Sequence, residues 1–91
     1  MLRDAIMHST GAQLGALYDG VKVDVWQDPA MFDLRIEVRI RHRQREYRYG
    51  SAFDIYMFMG HDGGFYKDYI RTEFPRLVAR EVNDIIMRAA L

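Results

Sequence analysis

The stretch LRIEVRIRHRQREYR, residues 34–48, decides the fold. From Arg35 to Arg45 every second residue is charged, and Leu34, Ile36, Val38 and Ile40 fill the positions between the first of them with apolar side chains. Successive side chains of a strand leave it on opposite faces, so this alternation describes a half-buried strand with one face on a core and the other carrying arginines.

Strand two runs from about Asp33 to Arg41 and a third strand from about Gln44 to Gly50. A hairpin loop centred on His42 and Arg43 pairs Arg39 with Glu46 and Glu37 with Arg48, and Val38 with Tyr47 and Ile36 with Tyr49. Opposite charges then meet outside and aromatic meets β-branched inside, each pair contributing roughly 0.2–1 kcal/mol. Upstream, Val21, Val23 and Val25 alternate with Lys22, Asp24 and Trp26 as a first strand, closed by a turn at Asp28 and Pro29. Its matching register pairs Lys22 with Glu37 and Asp24 with Arg35.

Helical signals flank the strands. Leu2, Ile6, Leu14 and Leu17 mark a short helix over 2–18, weakened by Gly11 and Gly15. Ser51 followed by Asp54 resembles a capping box and predicts a helix from Ala52 to Met59, although Phe53, Ile55, Met57 and Met59 also fit a period of two. His61-Asp62-Gly63-Gly64 reads as a loop in which Asp62 caps the next helix. From Phe65 an apolar stripe of helical period runs to Ala89, and Pro75 requires a kink or a junction of two helices near Thr72 to Pro75. The expected architecture is one α+β domain over residues 1–91: a three-stranded antiparallel meander with helices on one face, in the order α-β-β-β-α. Double-stranded-RNA-binding domains share that order, but in place of their Lys-rich final-helix start this chain has Gly63-Gly64-Phe65-Tyr66-Lys67-Asp68, so no family is assigned.

Composition bounds the function. The 91 residues contain no cysteine, so disulfide and thiolate chemistry are excluded. No apolar run reaches the ~20 residues of a membrane-spanning helix, and Arg3, Asp4 and His8 interrupt anything resembling a signal peptide. A cytoplasmic protein that does not enter membranes is expected. Thirteen basic and thirteen acidic residues cancel, yet residues 35–48 hold six arginines against two glutamates. The molecule is neutral with a basic stripe.

Three features are candidates for function. In the register above Arg41, Arg43 and Arg45 stay unpaired at the hairpin tip; with Arg39 and His42 they could hold phosphates of a nucleic acid, since arginines two apart on a strand are ~6.8 Å apart. A solvated face is the bland alternative. Trp26 falls on the arginine side, as a stacking platform, a hot spot for a protein partner, or local packing on Arg35 or Pro29. The segment FDIYMFM, with Phe53, Tyr56, Met57, Phe58 and Met59, is apolar nearly all round, which suits either a sandwiched core helix or an adaptable protein interface. His61 and Asp62 have no nucleophile beside them, and His8, His42 and His61 lack metal-ligand spacing, so no catalytic, metal or cofactor site is assigned. The expectation is a non-enzymatic interaction module that self-associates or docks on a larger protein, an assembly subunit or stoichiometric inhibitor of the kind phages encode. Nucleic-acid binding through the arginine tip is the alternative.

Overall fold

The computed structural model describes residues 2–28, 30, 33–60 and 64–90. Helix α1 spans Leu2–Gly15, and strands β1 (Gly20–Asp28), β2 (Asp33–His42) and β3 (Arg45–Asp54) follow as an antiparallel meander with β2 in the centre. A 3-10 turn over Ile55–Phe58 and one turn of π-helix over Tyr69–Glu73 precede helix α2, Phe74–Ala89. The architecture is therefore the α-β-β-β-α domain read from the pattern.

The alternation of β2 is realised along its whole length. Leu34, Ile36, Val38 and Ile40 are buried and Arg35, Glu37, Arg39 and Arg41 are exposed. The buried set joins Val25 and Tyr49 from the flanking strands, Ile6 and Leu14 of α1, and Phe74, Val78 and Val82 of α2 in one core. Both helices cover the same side, and among the described residues no layer lies over the opposite side of the sheet.

Both registers differ from the sequence expectation by two residues. The structure pairs Arg39 with Arg48 and Val38 with Tyr49 in the second hairpin, and Lys22 with Arg39 and Asp24 with Glu37 in the first. A slip of two keeps every side chain on its face, so the hydrophobic pattern is satisfied either way. The turn decides. It consists of Arg43 and Gln44, both at positive φ (51° and 67°), the backbone of a type I′ hairpin turn normally advertised by Asn-Gly. Here neither residue advertises it. Asp19 compensates in part, its Oδ2 accepting the Arg43 backbone N–H at 3.2 Å.

The helix expected over Ala52–Met59 is not formed. β3 continues through Ala52 and Phe53 to Asp54, and only Ile55–Phe58 coils, as a 3-10 turn capped by Asp54, whose Oδ1 accepts the Tyr56 N–H at 2.9 Å. The cap is Asp54 and not Ser51, because the chain stays in β3 through Phe53, which is paired with Leu34 and packs edge-on to Phe74 at 5.0 Å. Phe58 is fully buried, edge-on to Phe74 at 5.0 Å and to Tyr69 at 5.9 Å. Met59 and Phe65 form an isolated antiparallel bridge. The Asp62 cap lies outside the described residues, as does the Pro29 half of the first turn.

Pro75 has the effect its chemistry requires. A proline ring clashes with the carbonyl four residues back, here that of Arg71, and the chain widens into the π turn immediately before it. The Phe74 N–H then reaches the Tyr69 carbonyl, and Pro75 falls in the first turn of α2, where no N–H is missed.

Candidate interaction surface

The uncovered face is laid out in rows across the three strands. Gly20, Arg41 and Glu46 lie abreast nearest the β2–β3 turn. Next come Lys22, Arg39 and Arg48, three cations in line; then Asp24, Glu37 and Gly50; then Trp26, Arg35 and Ala52; and last Asp28, Asp33 and Asp54, three carboxylates in line. Five cations thus face six acids. Among the described residues the ion pairs within 4.0 Å are Arg3–Asp4 and Arg71–Asp68, so no cross-strand pair on this face is closed. Like charges directly abreast repel. The face is banded, basic toward one end and acidic at the other.

The arginine tip expected from the sequence is dispersed by the turn. Arg41 stays on the open face opposite Glu46, Arg43 occupies the turn itself, and Arg45 emerges on the helix side with its guanidinium 5.7 Å from the Tyr47 ring centroid. His42 also turns to the helix side, edge-on to Tyr18 at 5.3 Å, and its Nδ1 is buried with no hydrogen-bond partner. Of the residues proposed for anion binding only Arg39 and Arg41 share the open face. The structure adds Lys22 and Arg48 beside Arg39, which sequence reasoning missed because it set Glu37 against both.

Trp26 is on the open face directly opposite Arg35, with 41% of its surface accessible. Because Gly50 and Ala52 carry almost no side chain, a shallow depression of about 280 Å³ opens there, lined by Trp26, Arg35, Glu37 and Ser51. Of the FDIYMFM segment, Phe58 belongs to the core and is closed to any partner, Phe53, Met57 and Met59 are half-buried, and Tyr56 is 70% accessible.

The edges of the sheet differ. A two-residue turn makes His42 and Arg45 a hydrogen-bonded pair, so by alternation Glu46, Arg48, Gly50, Ala52 and Asp54 aim their backbone N–H and C=O groups away from β2. No backbone group among the described residues takes them up. On β1, by contrast, α1 lies alongside and the Arg3 Nε donates to the Val25 carbonyl at 2.5 Å. A groove of about 580 Å³ runs beside the β3 edge, between Gly50 and the α2 residues Asp84, Ile85 and Arg88. Tyr49 closes its floor: the hydroxyl donates to the Glu81 carboxylate, and burial first, then this bond, pushes its pKa well above the usual tyrosine value. The signal for this edge was the period of two continuing through Phe53.

Among the described residues no cluster of His, Asp and Glu could hold a metal ion, and no helix is long and apolar enough to cross a membrane. His61 and Asp62 lie outside the described residues. A further concavity of about 400 Å³ between α1 and the start of the last helix, lined by Leu2, Ala5, Phe65 and Ile70, is mostly apolar. No family model matches the chain, and neither a curated protein nor a solved structure matches it.

Proposed function

We propose that this protein is a non-enzymatic interaction module whose working surface is the uncovered sheet and its β3 edge, and that its first partner is another copy of itself. The observation that carries the reading is the edge of β3, ten residues long, without proline or bulge, and unpaired among the described residues. Native proteins blunt such edges, because a row of free N–H and C=O groups is a template for another strand. The protein blunts β1 with α1 and leaves β3 open. The near balance of five cations and six acids on the open face favours a protein partner over a polyphosphate.

Sedimentation across a dilution series tests this. The expected result is a species of twice the 10.7 kDa chain mass that dissociates on dilution. A single-chain mass at every concentration overturns it.

One observation favours nucleic acid as a second reading. Lys22, Arg39 and Arg48 lie in a transverse row about 10 Å long at the ~4.8 Å spacing of strands. Fluorescence anisotropy with labelled single-stranded and duplex oligonucleotides at two salt concentrations separates the readings, since binding by phosphate neutralisation weakens steeply with salt. Binding that is abolished by Arg39→Ala with Arg48→Ala, and not by Arg43→Ala with Arg45→Ala, places the contact on the row.

A further inference from the structure

Resting on the self-association reading, we infer that two copies join β3 to β3 in one antiparallel register, centred on Ser51, to form a continuous six-stranded sheet. A two-fold axis perpendicular to the sheet keeps open face with open face, so only registers that pair even-numbered with even-numbered residues are compatible with the fold. These can be compared on the side chains they oppose. Centring on Gly50 sets Glu46 against the partner's Asp54 twice. Centring on Arg48 sets that arginine against itself. Centring on Tyr47 pairs Glu46 with the partner's Arg48 but engages only the turn end of the strand. Centring on Ser51 sets Arg48 against the partner's Asp54 at both ends and Gly50 against the partner's Ala52 between them, along the stretch from Arg48 to Asp54.

The banding of the open face supports the same choice. The cationic row Lys22, Arg39, Arg48 ends at the β3 edge, and so does the acidic row Asp28, Asp33, Asp54. With the axis at Ser51 each basic row runs directly into the acidic row of the other copy. Charges that repel their neighbours within one chain meet their complements across the seam. The groove beside the edge holds α2 back from Gly50, leaving an approaching strand room to pair.

Two substitutions read the register out. Ser51 meets itself at a pair not bonded through the backbone, where Cα atoms approach to ~4.5 Å, within the ~4.4–6.8 Å that a disulfide spans. The chain has no cysteine, so Ser51→Cys supplies the only thiol. Mild oxidation should cross-link it readily, while Glu46→Cys, exposed on the same edge but far from its own copy, should not cross-link. Ala52→Pro removes an outward N–H that bonds nothing within the chain, and should lower the association constant at least about tenfold with an unchanged circular dichroism spectrum. Arg48→Asp, on an exposed side chain, should weaken association in the same direction and guards against a folding defect in the proline variant. A wild-type dimer that survives both Ala52→Pro and Arg48→Asp, with Ser51→Cys uncross-linked, overturns the register and leaves self-association standing. A monomeric wild type overturns both.

Discussion

Replacing Gln44 by glycine tests the register on which the reading of the open face depends, because its sign differs between the two hairpins the sequence allows. In the structure Gln44 has φ 67°, in the left-handed region. That conformation costs an L-residue with a Cβ roughly 1–2 kcal/mol and glycine almost nothing. Against this relief stands the greater freedom glycine gives the unfolded chain, roughly 0.5–1 kcal/mol. The balance is a stabilisation of about 0.5–1 kcal/mol, and adding Arg43→Asn, a residue that tolerates positive φ, should bring the gain to at least about 1 kcal/mol. The Asp19 bond survives both changes, since it takes the backbone N–H of residue 43. A domain of this size gains about 4–8 °C in Tm per kcal/mol, well within reach of differential scanning calorimetry. In the alternative hairpin, with its loop at His42 and Arg43, Gln44 is a strand residue and glycine there costs about 0.5–1 kcal/mol. A Tm that falls in Gln44→Gly refutes the turn, and with it the rows of like charge.

Phe58→Ala removes a fully buried ring from the aromatic cluster and should cost about 3–5 kcal/mol in urea denaturation, whereas Tyr56→Ala two residues earlier should change stability by less than about 0.5 kcal/mol; equal effects would mean the segment is not placed as described. Thr10 is completely buried in α1 and its hydroxyl has no partner, so Thr10→Val should stabilise by about 1 kcal/mol, and a loss would show the hydroxyl to be satisfied. Because folding raises the pKa of Tyr49, its stabilising effect is complete below the unfolded value of 10.0 and is lost as pH climbs from there toward the folded value. The stability difference between wild type and Tyr49→Phe should therefore shrink above pH 10.0 when both are denatured in alkaline urea, and a constant difference would exclude the coupling.

The faces of the sheet were legible because a period of two is a property of the residues alone: Leu34, Ile36, Val38 and Ile40 had to go inward together. The break at Pro75 was legible for the same kind of reason, since a missing N–H is written in the residue. Register was not. Pairings that differ by two residues bury the same side chains, and in the β2–β3 hairpin the choice between them lay in Arg43 and Gln44, two long polar residues that adopt a conformation neither prefers. The end of β3 was ambiguous because Ser51 and Asp54 have the spacing of a capping box while Phe53, Ile55, Met57 and Met59 fit a period of two; in the structure Asp54 is itself the cap, of a single 3-10 turn held by tertiary contacts of Phe58. The arginine tip failed through geometry: a two-residue turn moves the strand after it to the opposite phase, so Arg41 and Arg45 part to different sides of the sheet.

Rows of like charge cost a monomer stability, and that cost gives the two-copy arrangement a signature in salt. Lys22, Arg39 and Arg48 repel one another in the isolated chain, as do Asp28, Asp33 and Asp54. Added salt screens both sets, shortening the Debye length from ~10 Å at 0.1 M to ~3 Å at 1 M. In an Ala52→Pro monomer, thermal stability should therefore rise over this range. Association of the wild type should move the other way, because the same ions screen the attraction of each basic row for the acidic row continuing it across the seam. Sedimentation and calorimetry on the two proteins in one salt series measure both slopes. Opposite signs are the expected result. If association strengthened with salt as the monomer did, the contact would be apolar, and its place would be sought at Tyr56, Leu17 or Met87, which are more than half exposed, and not along β3.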